Sequence, residues 1–453
     1  MKTRVALCMA AFVASAASHA ATIDKVVVRQ QWPWSTDVKV EYRLTGVTAP
    51  VDVSVVAYDG DTPLDSAKIA AATKGDVYGV SADGDYSIMI DPVAAFGADH
   101  AAIPNFNVEL TLSDSAAKTT EVLYKIIDLD AFTVQDVTRA DFMNGKMGAY
   151  ETDFGAIGAN YWTALQDVLI WTGVTNVPAY KTSKIVMRKV PAKNVTYCMG
   201  NGPGTYSTKS CNGNAMVTLT NDFYLSVFEV TEGQYKRMTT VNGAIGTAPS
   251  SNGDVYPVTS LSYDALRGDP ANWTDWPGNQ YAVASDTAIA KLRVNMPGCL
   301  FDLPTEAQWE YACRAGTTND TYTGRYYAKA STLQTRVEEL AWTPSNASSL
   351  QIGGQKRPNA LGLYDMLGNL AEQCRDLIAG TDTDNAIDPP ALSGDATEPY
   401  GMTAGTDSSH NINTRGGSYE SPNYIYCLVQ SRRLNIKRST GSVRGFRLWL
   451  RAE

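Results

Sequence analysis

Apolar and polar residues alternate in short runs over the first third of the chain. The stretches KVVVRQQW, DVKVEYRL, VDVSVVAYDG, DYSIMIDP and NFNVELTLSD are valine-rich and partly period-two, with Gly, Asp and Pro between them. Successive side chains of a strand point to opposite faces, so this texture predicts half-buried strands. TEVLYKIIDL adds a last strand. Short strands at close intervals predict an antiparallel β-sandwich of immunoglobulin or fibronectin type over residues 23–128. The Cys–Trp–Cys pattern of a true immunoglobulin domain is missing. Residues 129–182 lose the alternation. NGKMGAYETDFGAIGANYW is rich in glycine and aromatics, too long for a simple linker, and is expected to pack on the C-terminal part of the chain.

From about residue 183 the texture changes to short helices with clear starts, short strands and many turns. TEGQ at Thr231–Gln234 and TEAQ at Thr305–Gln308 are capping boxes. In each, the threonine hydroxyl accepts the N3 amide while the glutamine reaches back to the cap amide. The second opens TEAQWEYACRAG, closed by Gly316. There Trp309, Ala312 and Cys313 share one face, so the helix is expected to be amphipathic with a buried cysteine. The fold class expected for the whole chain is α+β with much irregular backbone.

The N-terminus bears on compartment. MKTR, then VALCMAAFVASAA, then small residues at Ser18 and Ala20 read as a secretory signal over residues 1–20, with cleavage after Ala20. Cys8 lies too early for a lipoprotein cysteine, and the apolar run is well short of the ~20 residues of a membrane helix. A bacterial exported protein, periplasmic or released, is expected. Six cysteines then remain: Cys198, Cys211, Cys299, Cys313, Cys374 and Cys427. An even count outside the cytoplasm favours disulfides, and Cys198 with Cys211 is the most local pair. The net charge of −9 is spread along the chain with no basic stripe, which argues against nucleic acid. Of three histidines, His19 leaves with the signal, and His100 and His410 sit in no recognisable motif. A three-histidine metal centre is therefore excluded in one mature chain. The sequons at Asn194, Asn272, Asn319 and Asn346 are read as chance.

Six stretches occur in a telling order: DFYLSVFEVTEGQY (222–235), PVTSLSYDAL (257–266), DLPTEAQWEYACRAGT (302–317), GQKRPNALGLYDMLGNLAEQC (354–374), RGGSY (415–419) and VRGFRL (443–448). With them, residues 183–453 resemble the formylglycine-generating enzyme, or sulfatase-modifying factor, family. The resemblance implies a C-type-lectin-like fold, low in regular structure and often supported by calcium. It leaves the N-terminal sandwich outside.

The oxidase members of that family turn a substrate cysteine into formylglycine with copper and oxygen. They hold Cu(I) between two thiolates after the RGGSY turn, and two soft sulfur ligands suit that ion. In this sequence the matching positions are Ser421 and Tyr426, and Cys427 falls one place late. On a strand, that shift would turn its side chain to the opposite face. The alternative role for Cys427 is a disulfide to Cys313 or Cys374. The iron-dependent branch needs histidines in a helical domain that this chain lacks.

The resemblance places Ser418 at the floor of a substrate groove, where it is also a natural turn serine, and Gly416 and Gly417 in the turn. If the site were active, Cys427 and Ser418 would be its catalytic candidates. Arg415, Arg444 and Arg447 are candidate buried guanidiniums. DMLGNLAEQ implies a Ca²⁺ loop using the carbonyls of Leu367, Gly368 and Leu370 and the carboxylate of Glu372, and a second calcium site of the family falls at PSNASS, where Asn346 would contribute. The expected function is a non-catalytic binding or structural protein at the cell exterior, with a protein or glycan ligand. No nucleic acid, membrane span or copper is expected, and oligomeric assembly is left open. The aromatic segment Asn423–Tyr426, with Tyr424 and Tyr426, is the expected ligand contact. The competing expectation is a copper- or iron-dependent oxidase acting on cysteine-containing proteins.

Overall fold

A computed structural model describes residues 21–30, 35–98, 103, 105–116, 119–152, 169–200, 215–268, 281–317, 319–323, 330–378, 396–397, 411–436 and 440–452. The signal-like start, Cys211, His100, His410 and Asn272 lie outside the described residues. The chain divides into two compact units, residues 1–123 with 137–148, and residues 124–136 with 149–453.

The first unit is built from antiparallel strands. Thr22–Gln30, Val38–Thr45, Gly84–Ile90 and Thr73–Gly75 form one sheet in that order, and Thr62–Pro63, Val51–Asp59 and Phe106–Asp114 form another. The period-two reading is realised in Val38–Thr45, where Val38, Val40, Tyr42 and Leu44 are buried and the residues between them face outward. They share one core with Val51, Val53, Ile88, Ile90, Val108 and Leu110 from the other strands. Two short helices, Ser66–Ala71 and Pro92–Phe96, interrupt the strand series, each capped by an aspartate, Asp65 and Asp91. Asn144 stitches this unit by accepting the amides of Val77 and Tyr78 at 3.1 and 2.8 Å and donating to the Tyr78 carbonyl at 2.9 Å.

The strand expected to complete the sandwich behaves differently. Val122–Asp128 joins a six-stranded sheet of the second unit, between Lys184–Val190 and Thr133–Thr138. Tyr124, Ile126 and Ile127 are buried there, which its mostly apolar sequence permits but an alternating edge strand would not. The same sheet continues through Phe223–Ser226 and Trp449–Arg451 to Phe301–Asp302, so strands more than 200 residues apart pair directly.

Both capping boxes are present. Thr231 and Gln234 open Glu232–Met238, and Thr305 and Gln308 open Glu306–Arg314. The second helix corrects the amphipathic expectation, because all nine of its residues are buried, Glu306, Glu310 and Arg314 included. Cys313 is buried as expected. None of the described helices is long and apolar enough to cross a membrane.

Candidate functional site

The RGGSY turn closes one end of a four-stranded sheet ordered Arg432–Ile436, Asn411–Arg415, Ala371–Ile378, Arg444–Gly445. Its register sets Arg415 opposite Arg432 on one side and Glu372 on the other, and Ala371 opposite Arg444. The turn then bends sharply through Gly416 at φ +84° and Gly417 at φ +68°. A Cβ on Gly417 would come within 2.5 Å of the Tyr426 carbonyl and 2.8 Å of Cys427 Sγ, so only glycine fits. Ser418 and Ser421 lock the next turn: the Ser418 amide donates to Ser421 Oγ at 2.8 Å and the Ser421 amide to the Ser418 carbonyl at 3.1 Å. A cavity of about 190 Å³ opens beside this turn, and Ser418, Ser421, Tyr426, Arg432 and Arg444 help to line it.

Buried ion pairs hold the frame. Arg415 Nη2 donates to Glu310 at 2.9 Å, and Arg314 reaches the same carboxylate at 2.7 Å. Arg415 Nε lies 2.8 Å from Glu306 off the hydrogen-bond line, so that contact is Coulombic alone. Arg432 and Asn413 donate to Glu306 at 3.0 and 2.6 Å. Burial by itself would raise the Glu306 carboxyl, but Arg415 and Arg432 outweigh it and hold it below its usual range. These contacts bring together Glu306, Glu310 and Arg314, to which sequence reasoning gave no role. Their signal was present, as charged residues at i, i+4 and i+8 on a helix that also carries Trp309 and Cys313.

Cys427 sits in a single 3₁₀ turn, Tyr424–Cys427, not in a strand. Asn423 caps it by accepting the Ile425 amide at 3.0 Å. Tyr426 lines the cavity, whereas Cys427 is fully buried with Sγ 3.9 Å from the Ser418 carbonyl. Burial pushes its thiol up to about 12, against hydrogen bonding from Ser421 and the backbone. The two positions matched to copper thiolates, Ser421 and Tyr426, therefore do face one cavity, but with oxygen in place of sulfur. Tyr424 instead packs, half-buried, against the main core.

The disulfide expectation is corrected, since no disulfide joins the described cysteines. Cys198, Cys313, Cys374 and Cys427 are free thiols, and burial raises all four above the usual thiol range. Cys299 is half-buried at the turn before Phe301–Asp302. The apolar core that surrounds Cys313, Cys374 and Cys427 does the work a staple was expected to do.

Of the implied calcium ligands, the two side chains, Glu372 and Asn346, are already committed to other partners. Glu372 Oε2 accepts Trp309 Nε1 at 2.6 Å and Oε1 accepts Arg447 Nε at 2.7 Å, so both oxygens are committed and a cation would face a guanidinium. The Asn346 side chain is also spent. It accepts the Thr343 amide at 2.8 Å and donates to the carbonyls of Glu338 and Ala341, closing the helix Ala330–Leu340. The loop carrying Leu367, Gly368 and Leu370 is organised by Glu229, which accepts Asn369 Nδ2 at 2.6 Å and the Leu370 amide at 3.0 Å, and by the Gly368 amide donating to the Gly416 carbonyl at 2.8 Å. Burial, then Glu372 and Asp365, raises the Glu229 carboxyl well above its usual range. Among the described residues no group of three or more His, Cys, Asp or Glu side chains is placed to hold a metal.

An α+β domain of short strands and long loops, closed by its own terminal strand and carrying a glycine turn beside a polar cavity, is the class that this fold and site define. Residues 187–452 match the sulfatase-modifying factor enzyme 1-like domain, and the chain belongs to that family. A curated relative from Paenibacillus barcinonensis, chaperone protein LppX, is 28% identical over 208 residues, covering 38% of this chain and 68% of its own. Among solved structures, Treponema denticola variable protein 1 is similar at 24% identity and TM-score 0.40, over 59% of this chain and 96% of that one. PvdO from Pseudomonas aeruginosa is similar at 21% identity and TM-score 0.40, over 59% and 94%.

Proposed function

We propose that this chain is an exported, non-catalytic recognition protein. Its family domain presents the cavity beside the RGGSY turn to a protein or glycan ligand outside the cell. The N-terminal unit serves as a stalk of immunoglobulin or fibronectin type.

One observation carries the reading. The donors at the two positions matched to copper thiolates are a serine and a tyrosine, Ser421 and Tyr426, and Cys427 is a buried, protonated thiol. Hard oxygen donors do not replace thiolates on Cu(I). A thiol held at about 12 is not a nucleophile at neutral pH. The frame of an active site is retained without the sulfur pair, and a concave polar cavity on a rigid frame suits binding. The signal-like first twenty residues support export. The Paenibacillus relative is named as a chaperone protein.

Purified protein loaded with Cu(I) and given a cysteine-containing peptide should take up no oxygen above the buffer rate in an oxygen electrode. Oxygen uptake that needs one copper per chain and stops in Cys427→Ala would overturn the reading.

A further inference from the structure

The lining of the cavity has a charge sign. It is lined by Arg432 and Arg444 and by Thr414, Ser418 and Ser421, and none of its described lining residues is acidic. The two arginines are held from behind. Arg432 Nη1 bridges both Glu306 oxygens at 3.1 and 3.0 Å, which neutralises that charge and fixes its position. Arg444 is 6% exposed and pairs in parallel with Ala371 at the sheet edge. Its guanidinium lies against Gly441, where a Cβ would come within 2.2 Å of Nε. A glycine at 441 therefore sets where that guanidinium can rest.

A wall of planar guanidinium and hydroxyl donors without a carboxylate selects against cations and favours an oxyanion. A guanidinium fork matches a carboxylate with two parallel hydrogen bonds. Ser421 Oγ accepts the Ser418 amide at 2.8 Å and lies 3.3 Å from Ser418 Oγ, so the two hydroxyls sit side by side at the cavity. A volume of 190 Å³ is well above the ~10–15 Å³ that one water needs on the same measure, enough for a carboxylate and the few atoms that carry it. Desolvation in so small a space makes each donor count for more than on an open surface.

We propose that the cavity binds a single carboxylate group, with Arg444 as its main charge partner and the Ser418 and Ser421 hydroxyls as further donors. This rests on the recognition reading of the same site. The carboxylate can come from a chain end or from an acidic sugar, and the test separates the two.

Full-length mature protein is titrated at low salt with N-acetylalanine and its amide, and with glucuronate and glucose, by isothermal calorimetry. At least one acid should bind saturably, and its neutral counterpart at least ten-fold more weakly. The acid that binds identifies the source. Arg444→Gln should weaken that acid at least ten-fold. Should Arg444→Gln fail to fold, Ser421→Asp, which puts a carboxylate inside the cavity, should abolish acid binding. Equal affinity for acid and neutral partner overturns the anion inference and leaves the recognition reading standing. So does unchanged binding in both variants, or no acid binding up to ~10 mM, weaker than any useful affinity. Copper-dependent oxygen uptake would instead remove the recognition reading itself.

Discussion

The two units solve the same problem, pairing the backbone, with different materials. In the N-terminal unit the strands are long and regular, up to nine residues, and the ladders satisfy the backbone. Its charged pairs sit at the surface: Arg43 and Asp85 are 50% and 67% exposed. In the C-terminal unit the strands are short and the loops long, and charged side chains take over the pairing. Arg447 donates to the carbonyls of Ser226 and Val227 at 3.0 and 2.8 Å, and Glu232 accepts the amides of Asn252 and Gly253 at 2.8 and 3.0 Å. Beside exposed pairs such as Arg336 with Glu339, it has buried ones, with Arg447 and Glu372 at 0% and 1% exposure. A fold with few ladders leaves more peptide groups to satisfy, and long guanidinium and carboxylate side chains can reach them.

The comparison breaks most sharply at a buried pair. Glu310→Ala takes the carboxylate from Arg314 and leaves Arg415 with Glu306 as its remaining acidic neighbour, and should cost about 3–5 kcal/mol in denaturant unfolding. A smaller loss falls in the N-terminal unit. Asn144→Ala orphans the amides of Val77 and Tyr78 and should cost about 1–3 kcal/mol by the same measurement. Thr305→Ala removes one arm of a capping box and should cost about 1 kcal/mol. Arg43→Ala in the N-terminal unit should leave the unfolding midpoint unchanged, since its partner Asp85 is solvated.

Alkaline pH sharpens the contrast further. The folded thiol of Cys427 sits at about 12, above its unfolded value, so folding favours the protonated form. That contribution is complete below the unfolded pKa and is lost as pH rises toward about 12. Between those limits, Cys427→Ala should lose stability less steeply with pH than the parent protein, as followed by pH-dependent urea unfolding.

The sequence was most readable where one local rule sufficed. Both Thr–x–x–Gln boxes formed as their spacing required, and alternation in Val38–Thr45 marked its buried face. It was least readable where the partner lies far along the chain. Nothing near Glu372 announces Trp309 or Arg447, which sit 63 and 75 residues away. Glu372 therefore reads, through the resemblance, as a metal ligand until its guanidinium is in view. Helix Glu306–Arg314 looked half-solvated because its charges meet Arg415 and Arg432 from other strands. The Ser421 and Tyr426 substitutions were legible outright, but the cavity they share came only with the fold.

Ser421 and Tyr426 put oxygen, not sulfur, at the two matched positions of this cavity, and oxygen is a poor ligand for Cu(I). Cu(I) affinity should be measured by competition with a chelator in the parent, in Cys427→Ala, and in the double variant Ser421→Cys with Tyr426→Cys. Tight one-to-one binding in the double variant alone is the predicted result. Equally tight binding by the parent, lost in Cys427→Ala, would contradict it.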